Sequence, residues 1–332
     1  MTAVAIIGGG GMIGQKIARS LLQNGLSGAV PQEIVLHDRG FATAPLRGTQ
    51  HCAEDISDPA VVSAMARRRP DVIFHLAAIV SGEAERNFDL GWQVNVFSLW
   101  ALLMALRAEH EASGGSYRPR LVFASSAAAF GPPLAEDGID DTFICEPRSS
   151  YGVQKVIAEH MISDCSRKGY VDGLSLRLPT ITVRPGQANA ALSSCFSAII
   201  REPLRGRRTV LPLPVETRHI HASPRSAAGF FLHAATIDTA RLDGRRALNM
   251  PSASCTIAEQ IDCLRQLAGQ AAVDLIDHQP DPAIGGIVLA WPQKFRTERA
   301  HDLGFRAETS FDQILAAYVE DDMAADRQAV AP

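Results

Sequence analysis

Seven residues near the start of the chain, Gly8-Gly9-Gly10-Gly11-Met12-Ile13-Gly14, limit what it can fold into more than any other stretch. They follow Ala3–Ile7, a continuous apolar run of the kind found in strands buried on both faces, and they open a stretch with helical periodicity, Ile13–Gln23. A strand that passes directly into a helix through glycines presents the first helical N–H groups with no Cβ in the way. A pyrophosphate needs just that: close approach to backbone donors at the positive end of a helix. Gly8 and Gly11 permit the tight turn, Gly14 lets helix and strand touch, and Met12 and Ile13 sit in the same turn.

The rest of the first half keeps the alternation. Glu33–His37, Val72–His75, Leu121–Ala124 and Leu174–Leu178 read as strands; Pro59–Arg68, Trp92–Glu111 and Gly152–Lys168 read as helices. Strands and helices in this rhythm predict an α/β fold with a doubly wound parallel sheet. Asp38, 24 residues beyond Gly14 at the end of the second strand, stands where an acid hydrogen-bonds the ribose hydroxyls of a dinucleotide and repels a 2′-phosphate. It favours NAD over NADP, although Arg39 beside it is a residue that accepts such a phosphate. Asp55 and Ile56 are placed to meet the adenine edge, or to lead a surface helix. Beyond Arg177 the chain becomes proline-rich and less regular, with helical stretches at Arg225–Thr236, Ile257–Leu267 and Phe311–Val319. The expected division is a cofactor-binding unit over residues 1–178, rejoined by 222–250, and a smaller substrate-binding region from 179–221 and 251–332.

Composition excludes several classes. Of the 332 residues 46% are hydrophobic and 20% charged, and the net charge of −4 provides no long-range positive field for nucleic acid or anionic membrane. Phe88 to Leu106 is apolar but carries Asp89, Gln93 and Asn95, which argues for a core or interface helix and against a membrane span. The six cysteines form no CxxC pair or disulfide framework, and Met1–Ile7 reads as a strand and not a secretory leader, so a reducing, cytoplasmic setting is expected. Arg201, Arg205, Arg207 and Arg208 form a basic cluster, assigned to a solvated surface.

Chemistry enters with Tyr151-Gly152-Val153-Gln154-Lys155. Residues four apart share a helical face, so Lys155 approaches the same cofactor ribose as Tyr151, and an ammonium beside a phenol lowers a pKa that is otherwise near 10. Ser126 lies 25 residues upstream in Ala124-Ser125-Ser126-Ala127-Ala128, at the C-terminal end of a parallel strand, where open α/β sheets bind ligands. Its hydroxyl is placed to hold a substrate oxygen while Tyr151 moves the proton.

Together these features resemble the extended short-chain dehydrogenase/reductase family, relatives of the nucleotide-sugar epimerases, over nearly the whole chain. The resemblance rests on Gly8, Gly11 and Gly14, Asp38, Asp55-Ile56, His75-Leu76-Ala77-Ala78, Asn95, Ser126, Tyr151 with Lys155, and Arg177-Leu178-Pro179. It implies a Rossmann fold with a smaller C-terminal substrate-binding region. It also implies Ser126 as substrate-hydroxyl stabiliser, Tyr151 as acid/base, Lys155 as ribose anchor, and Leu76, Ala77, Ala78, Asn95, Ser125, Pro179 and Ile181 along the cofactor. Ala127-Ala128 replace the acid pair of the sugar-nucleotide dehydratases, which disfavours dehydration. The two long helices resemble those that pair into a four-helix dimer interface in the family, implying a homodimer.

The segments 177–186, 200–204 and 218–226 are similar to a narrower group, the D-erythronate dehydrogenases, which oxidise C2 of a four-carbon sugar acid with NAD⁺. A small carboxylate calls for a cationic clamp, and Arg184, Arg218, His219 and His221 are the candidates. His219 and His221 project to one side of a strand, but no third residue has metal-ligand spacing, so no metal is expected. Three readings stand in order: a sugar-acid dehydrogenase, a nucleotide-sugar 4-epimerase, and a non-catalytic NAD sensor. The last is disfavoured by the presence of both Tyr151 and Lys155.

Overall fold

The computed structural model describes residues 2–186 and 191–324. Its strands are β1 (Ala3–Ile7), β2 (Glu33–Asp38), β3 (Gln50–Ala53), β4 (Val72–His75), β5 (Arg120–Ser126), β6 (Asp172–Leu178), β7 (Thr180–Ile181), β8 (Thr209–Leu211), β9 (Arg218–Ala222), β10 (Ala247–Asn249), β11 (Ala253–Thr256) and β12 (Ile276–His278). Seven of them form one sheet in the order β10-β6-β5-β4-β1-β2-β3, and every neighbouring pair is parallel. The order reverses between β1 and β4, which opens a crevice at their C-terminal ends. The central strands are buried on both faces, as their unbroken apolar runs require. β3 is the exception: Gln50-His51-Cys52-Ala53 is a half-exposed edge with no apolar signal, and the sequence reading did not name it.

Helices cover both faces. The principal ones are α1 (Met12–Asn24), α2 (Pro59–Arg67), α3 (Phe88–Ala112, with a π turn at Gln93–Phe97), α4 (Ser150–Arg167), α5 (Ser194–Leu204), α6 (Pro224–Ala234), α7 (Ile257–Ala268) and α8 (Phe311–Asp321). Their starts follow from local chemistry. Asp58 accepts from Ala60 N ahead of Pro59, Ser149 accepts from Gly152 N, and Thr256 with Glu259 forms a reciprocal capping box. On one face α1 and α6 bury Ile17, Leu21, Phe230 and Phe231 against Val4, Ile6 and Phe74. On the other, Leu99, Leu102, Leu103 and Leu106 of α3 pack with Val62, Met65 and Ile73. Helix α3 is thus long and apolar enough to cross a bilayer by length and composition, yet its leucines are core residues.

The smaller region has its own core, in which Phe196, Ile199 and Ile200 meet Ile257, Leu264, Ile314 and Tyr318. Two small sheets, β11-β9-β7 and β12-β8, frame it. One correction to the expected division concerns residues around 300. Ala300, Leu303 and Phe305 pack in the main core, with Phe305 ring centroids 6.4 Å from Phe230 and 4.8 Å from His233. This short apolar segment completes the cover over α6, and Arg299 ties it down by donating to the carbonyls of Leu242 and Arg245.

Candidate active site

The glycine turn is built as its sequence demands. Gly8 has φ +85°, and a Cβ there would lie 2.6 Å from Ala77 N, so any side chain would push the turn off the β4 loop. The N–H groups of Gly8 and Gly9 both donate to His37 O, and α1 starts at Met12 with no side-chain cap, leaving its first N–H groups to face the cleft. Gly8, Gly11, Met12, Ile13 and Gly14 line that cleft. Asp38 ends β2 with Oδ2 accepting from Gly10 N at 2.9 Å and Oδ1 from Arg39 N at 2.8 Å, which fixes its carboxylate beside the turn. Asp38, Arg39, Asp55, Ile56, Leu76, Ala77 and Ala78 wall an adjoining cavity of about 210 Å³. These features fit a dinucleotide: an uncapped helix start at the pyrophosphate position, a fixed acid at the ribose position and an apolar slot beyond.

His37, Cys52 and Glu54 bring their potential ligand atoms within 4.8 Å of one another at the β2–β3 edge. His37 and Cys52 are lateral neighbours in register across β2 and β3, with Glu54 just beyond β3, and the Arg68 charge felt by His37 and Cys52 opposes a cation there.

The cleft as a whole measures about 340 Å³, and its reactive end is lined by Ser125, Ser126, Tyr151, Lys155, Pro179, Ile181, Arg184 and His219 together with residues the sequence reading did not name. Ser126 closes β5, and its Oγ accepts from Ala128 N at 3.1 Å. Helix α4 crosses that turn closely enough that a Cβ at Gly152 would sit 2.1 Å from Ala128 O. Gly152 is therefore what lets Tyr151 approach the Ser126 hydroxyl, which acts on its phenol. Burial pushes the Tyr151 phenol up against the Arg184 guanidinium and then the Ser126 hydroxyl, which lower it, and the balance stands at about 12. Lys155 Nζ lies 5.3 Å from the Tyr151 ring centroid and 4.6 Å over the Phe123 ring, and it donates to Ala124 O at 2.7 Å; burial draws it down to about 7 against the Glu159 carboxylate.

Other expected residues separate into those in the cleft and those behind it. Asn95 is behind: in the π turn, Oδ1 accepts from Ile79 N and Nδ2 donates to Ile79 O and Gln154 Oε1, so it holds the wall and does not line it. Ser125 lines the cleft while donating to Glu159, which Arg177 grips through Nε and Nη2. Arg218 points away, to Glu259 and Ser254 O. His221 is buried between Phe196 and Phe311 and bonded to Thr182 and Gln260. His219 does face the cleft, but it stacks on Phe196, bonds Thr180 Oγ1 at 2.7 Å, and is drawn down to about 3 by burial, so it is neutral. Strand alternation correctly put both histidines on one side; whether that side met ligand or core depended on α5, α7 and α8.

Ser81, Ser193, Ser197, Trp291 and Arg201 join the lining without having been foreseen. Arg201 corrects the surface assignment outright, being 1% exposed on the inner side of α5. The helical spacing of Phe196, Ile199 and Ile200 was the available signal, since Arg201 falls within the same buried stripe.

Comparison with known proteins agrees with this geometry. Residues 4–217 match the model of the NAD dependent epimerase/dehydratase family. A D-erythronate dehydrogenase of Cupriavidus necator is 41% identical, covering 96% of this chain and 98% of its own. One from Haemophilus influenzae is 36% identical, covering 96% and 99%. A crystal structure described as a nucleoside-diphosphate-sugar epimerase from Agrobacterium tumefaciens superposes with a TM-score of 0.91 at 45% identity, covering 97% of this chain and 95% of its own.

Proposed function

The chain belongs to the NAD dependent epimerase/dehydratase family, and from that premise we propose that it oxidises the C2 hydroxyl of a four-carbon sugar acid, D-erythronate, to 2-oxo-tetronate. The oxidant is NAD⁺, and the setting is sugar-acid catabolism in the cytoplasm. The observation that carries this reading is the convergence of Arg184, Tyr151 and Ser126 in one small cleft. A general base, a hydroxyl that holds the reacting oxygen and a cation for a carboxylate are what an α-hydroxy acid needs.

Bound NAD⁺ supplies the hydride-accepting chemistry. Gly8, Gly11, Met12, Ile13 and Gly14 hold its pyrophosphate, and Asp38 its adenosine ribose; Asp55 and Ile56 meet the adenine, while Leu76, Ala77, Ala78, Ser125, Pro179 and Ile181 line the remainder. Tyr151 removes the C2 hydroxyl proton, and Ser126 holds the oxygen that it leaves. Lys155, which donates to Ala124 O 5.3 Å from the Tyr151 ring centroid, would also hold the cofactor ribose and steady the phenolate. Residues 1–178 with 222–250 and the segment around Phe305 form the cofactor-binding unit; the remaining C-terminal residues form the substrate cap.

The assay is NADH absorbance across four-carbon sugar acids with UDP-sugars as controls. NADH formed from D-erythronate is expected. UDP-sugar epimerisation without net NADH would favour the second reading, a 4-epimerase, which the similarity to the Agrobacterium nucleoside-diphosphate-sugar epimerase supports.

Asp38→Asn keeps an acceptor for Gly10 N but removes the charge that repels a 2′-phosphate. The NADP⁺/NAD⁺ ratio of kcat/KM is expected to rise about tenfold or more. An unchanged ratio in steady-state assays with both cofactors would show that Asp38 does not face the ribose.

The assembly is proposed to be a homodimer through α3 and α4. Phe88, Phe97 and Trp100 of α3 and Val153 of α4 are exposed on these two helices. Such a face gains by pairing with its own copy around a twofold axis. Trp100→Glu should yield monomer at micromolar concentration in light scattering; a wild-type monomer would refute the arrangement.

A further inference from the structure

We propose that Arg201 is the second half of a two-arginine seat for the substrate carboxylate, beside Arg184; the inference rests on the sugar-acid reading above. Arg201 is almost fully buried, yet it lines the reactive end of the cleft. Two of its three nitrogens are spent on position. Nε donates to Glu202 Oε1 at 2.7 Å, and Nη1 donates to Arg184 O at 2.8 Å. Nη2 is buried and has no hydrogen-bond partner among the described residues. A buried cationic N–H without an acceptor is costly, and folded proteins tolerate one chiefly where a ligand supplies the missing lone pair.

The surroundings specify the ligand as an anion. Arg201 repels Arg184 strongly enough to count among the causes that lower the latter's pKa. Two cations in one desolvated pocket are relieved by a bound negative charge. The guanidinium is already held in a plane by Glu202 and by the Arg184 carbonyl, and a planar carboxylate is its best geometric complement. His219 in the same lining is neutral, so it contributes no charge. Ser193 and Ser197, also in the lining, hydrogen-bond Arg184 at 3.2 Å to Nη2 and 3.1 Å to its backbone N–H, which fixes the neighbouring arginine from the same side.

The test compares wild type, Arg201→Met and Arg201→Lys at saturating NAD⁺, using D-erythronate and its neutral amide. Arg201→Met is expected to raise KM for the acid about 10- to 100-fold, with kcat and the KM for NAD⁺ within about threefold. The kcat/KM for the amide should stay within about twofold, and Arg201→Lys should recover part of the loss. Equal losses for acid and amide, or no loss for either, would overturn the seat. Should Arg201→Met not fold, the same acid-to-amide comparison in Arg201→Lys decides. If wild type oxidises neither compound, the dehydrogenase reading fails separately, and the seat is judged by binding. D-erythronate should then raise the unfolding midpoint of NAD⁺-loaded wild type and not of the variant; an equal rise in both, or none in wild type, overturns it.

Discussion

Tyr151→Phe is expected to lower turnover of D-erythronate by about 10³- to 10⁴-fold while leaving NAD⁺ affinity within about twofold. The substitution removes one oxygen from a ring whose packing it preserves. That ring rests against the cap core, α4 still closes on Ala128 O through Gly152, and the cofactor contacts of the glycine turn are untouched. What is lost is the group placed with Ser126 to accept a hydroxyl proton. Ser126→Ala should cost less, about 10- to 100-fold, because an oriented hydroxyl aids a reaction that the base performs. Titration of NAD⁺ by calorimetry separates binding from turnover. Near-wild-type activity in the Phe variant would remove Tyr151 from the role of base.

The legible part of the molecule was the part whose physics is local. A continuous apolar run into glycines defines β1, the turn and α1 within about 20 residues, and Asp38 follows from the length of one βαβ step. Tyr151 and Lys155 are one helical turn apart, so their shared face needed no tertiary information. Spacing left silent whatever depends on which face of an element meets a neighbour. β3 carries no apolar pattern because it is an edge. Arg218 and His221 lie on the same strand as His219, yet one turns to Glu259 and the other into the cap core. Arg201 looked like surface charge because arginine is seldom buried, and only the packing of α5 against α7 places its guanidinium inside. The electrostatics shifted for the same reason. Lys155, one helical turn from Tyr151, keeps its Nζ 5.3 Å from that ring while donating to Ala124 O, and a second cation, Arg184, 33 residues on, also draws the phenol down.

This second cation has a measurable consequence in Arg184→Met. Two losses are expected together: the substrate carboxylate loses a cation, and the Tyr151 phenolate loses the charge that most lowers its pKa. Burial holds the phenol up, at about 12 even with Arg184 beside it, so removing Arg184 raises the pH at which the base form appears. Oxidation requires the deprotonated phenol, and its rate therefore climbs with pH until the base is fully ionised. In the variant that ascending limb moves to higher pH. With the positive charge of bound NAD⁺ bringing the wild-type phenol into the assayed range, the deficit in kcat/KM is expected to be about 10³-fold at pH 7 and to shrink once the pH passes the wild-type limb. A defect confined to carboxylate binding would leave the limb where it stands in wild type and lower the whole profile by a constant factor. Arg184→Lys discriminates further. It returns a charge near the phenol but not the planar fork, so it should restore the position of the limb more fully than the KM for the acid. Nε of Arg184 donates to Ile181 O at 2.9 Å, which fixes the head group beside Tyr151, and a lysine has no equivalent of that bond. Profiles of kcat/KM from pH 6 to 10 on the three proteins, with D-erythronate and its amide, separate the two effects. If the limb does not move in Arg184→Met, the cation that tunes Tyr151 lies elsewhere, and Lys155, once turned to the ribose, is the residue to which the role returns.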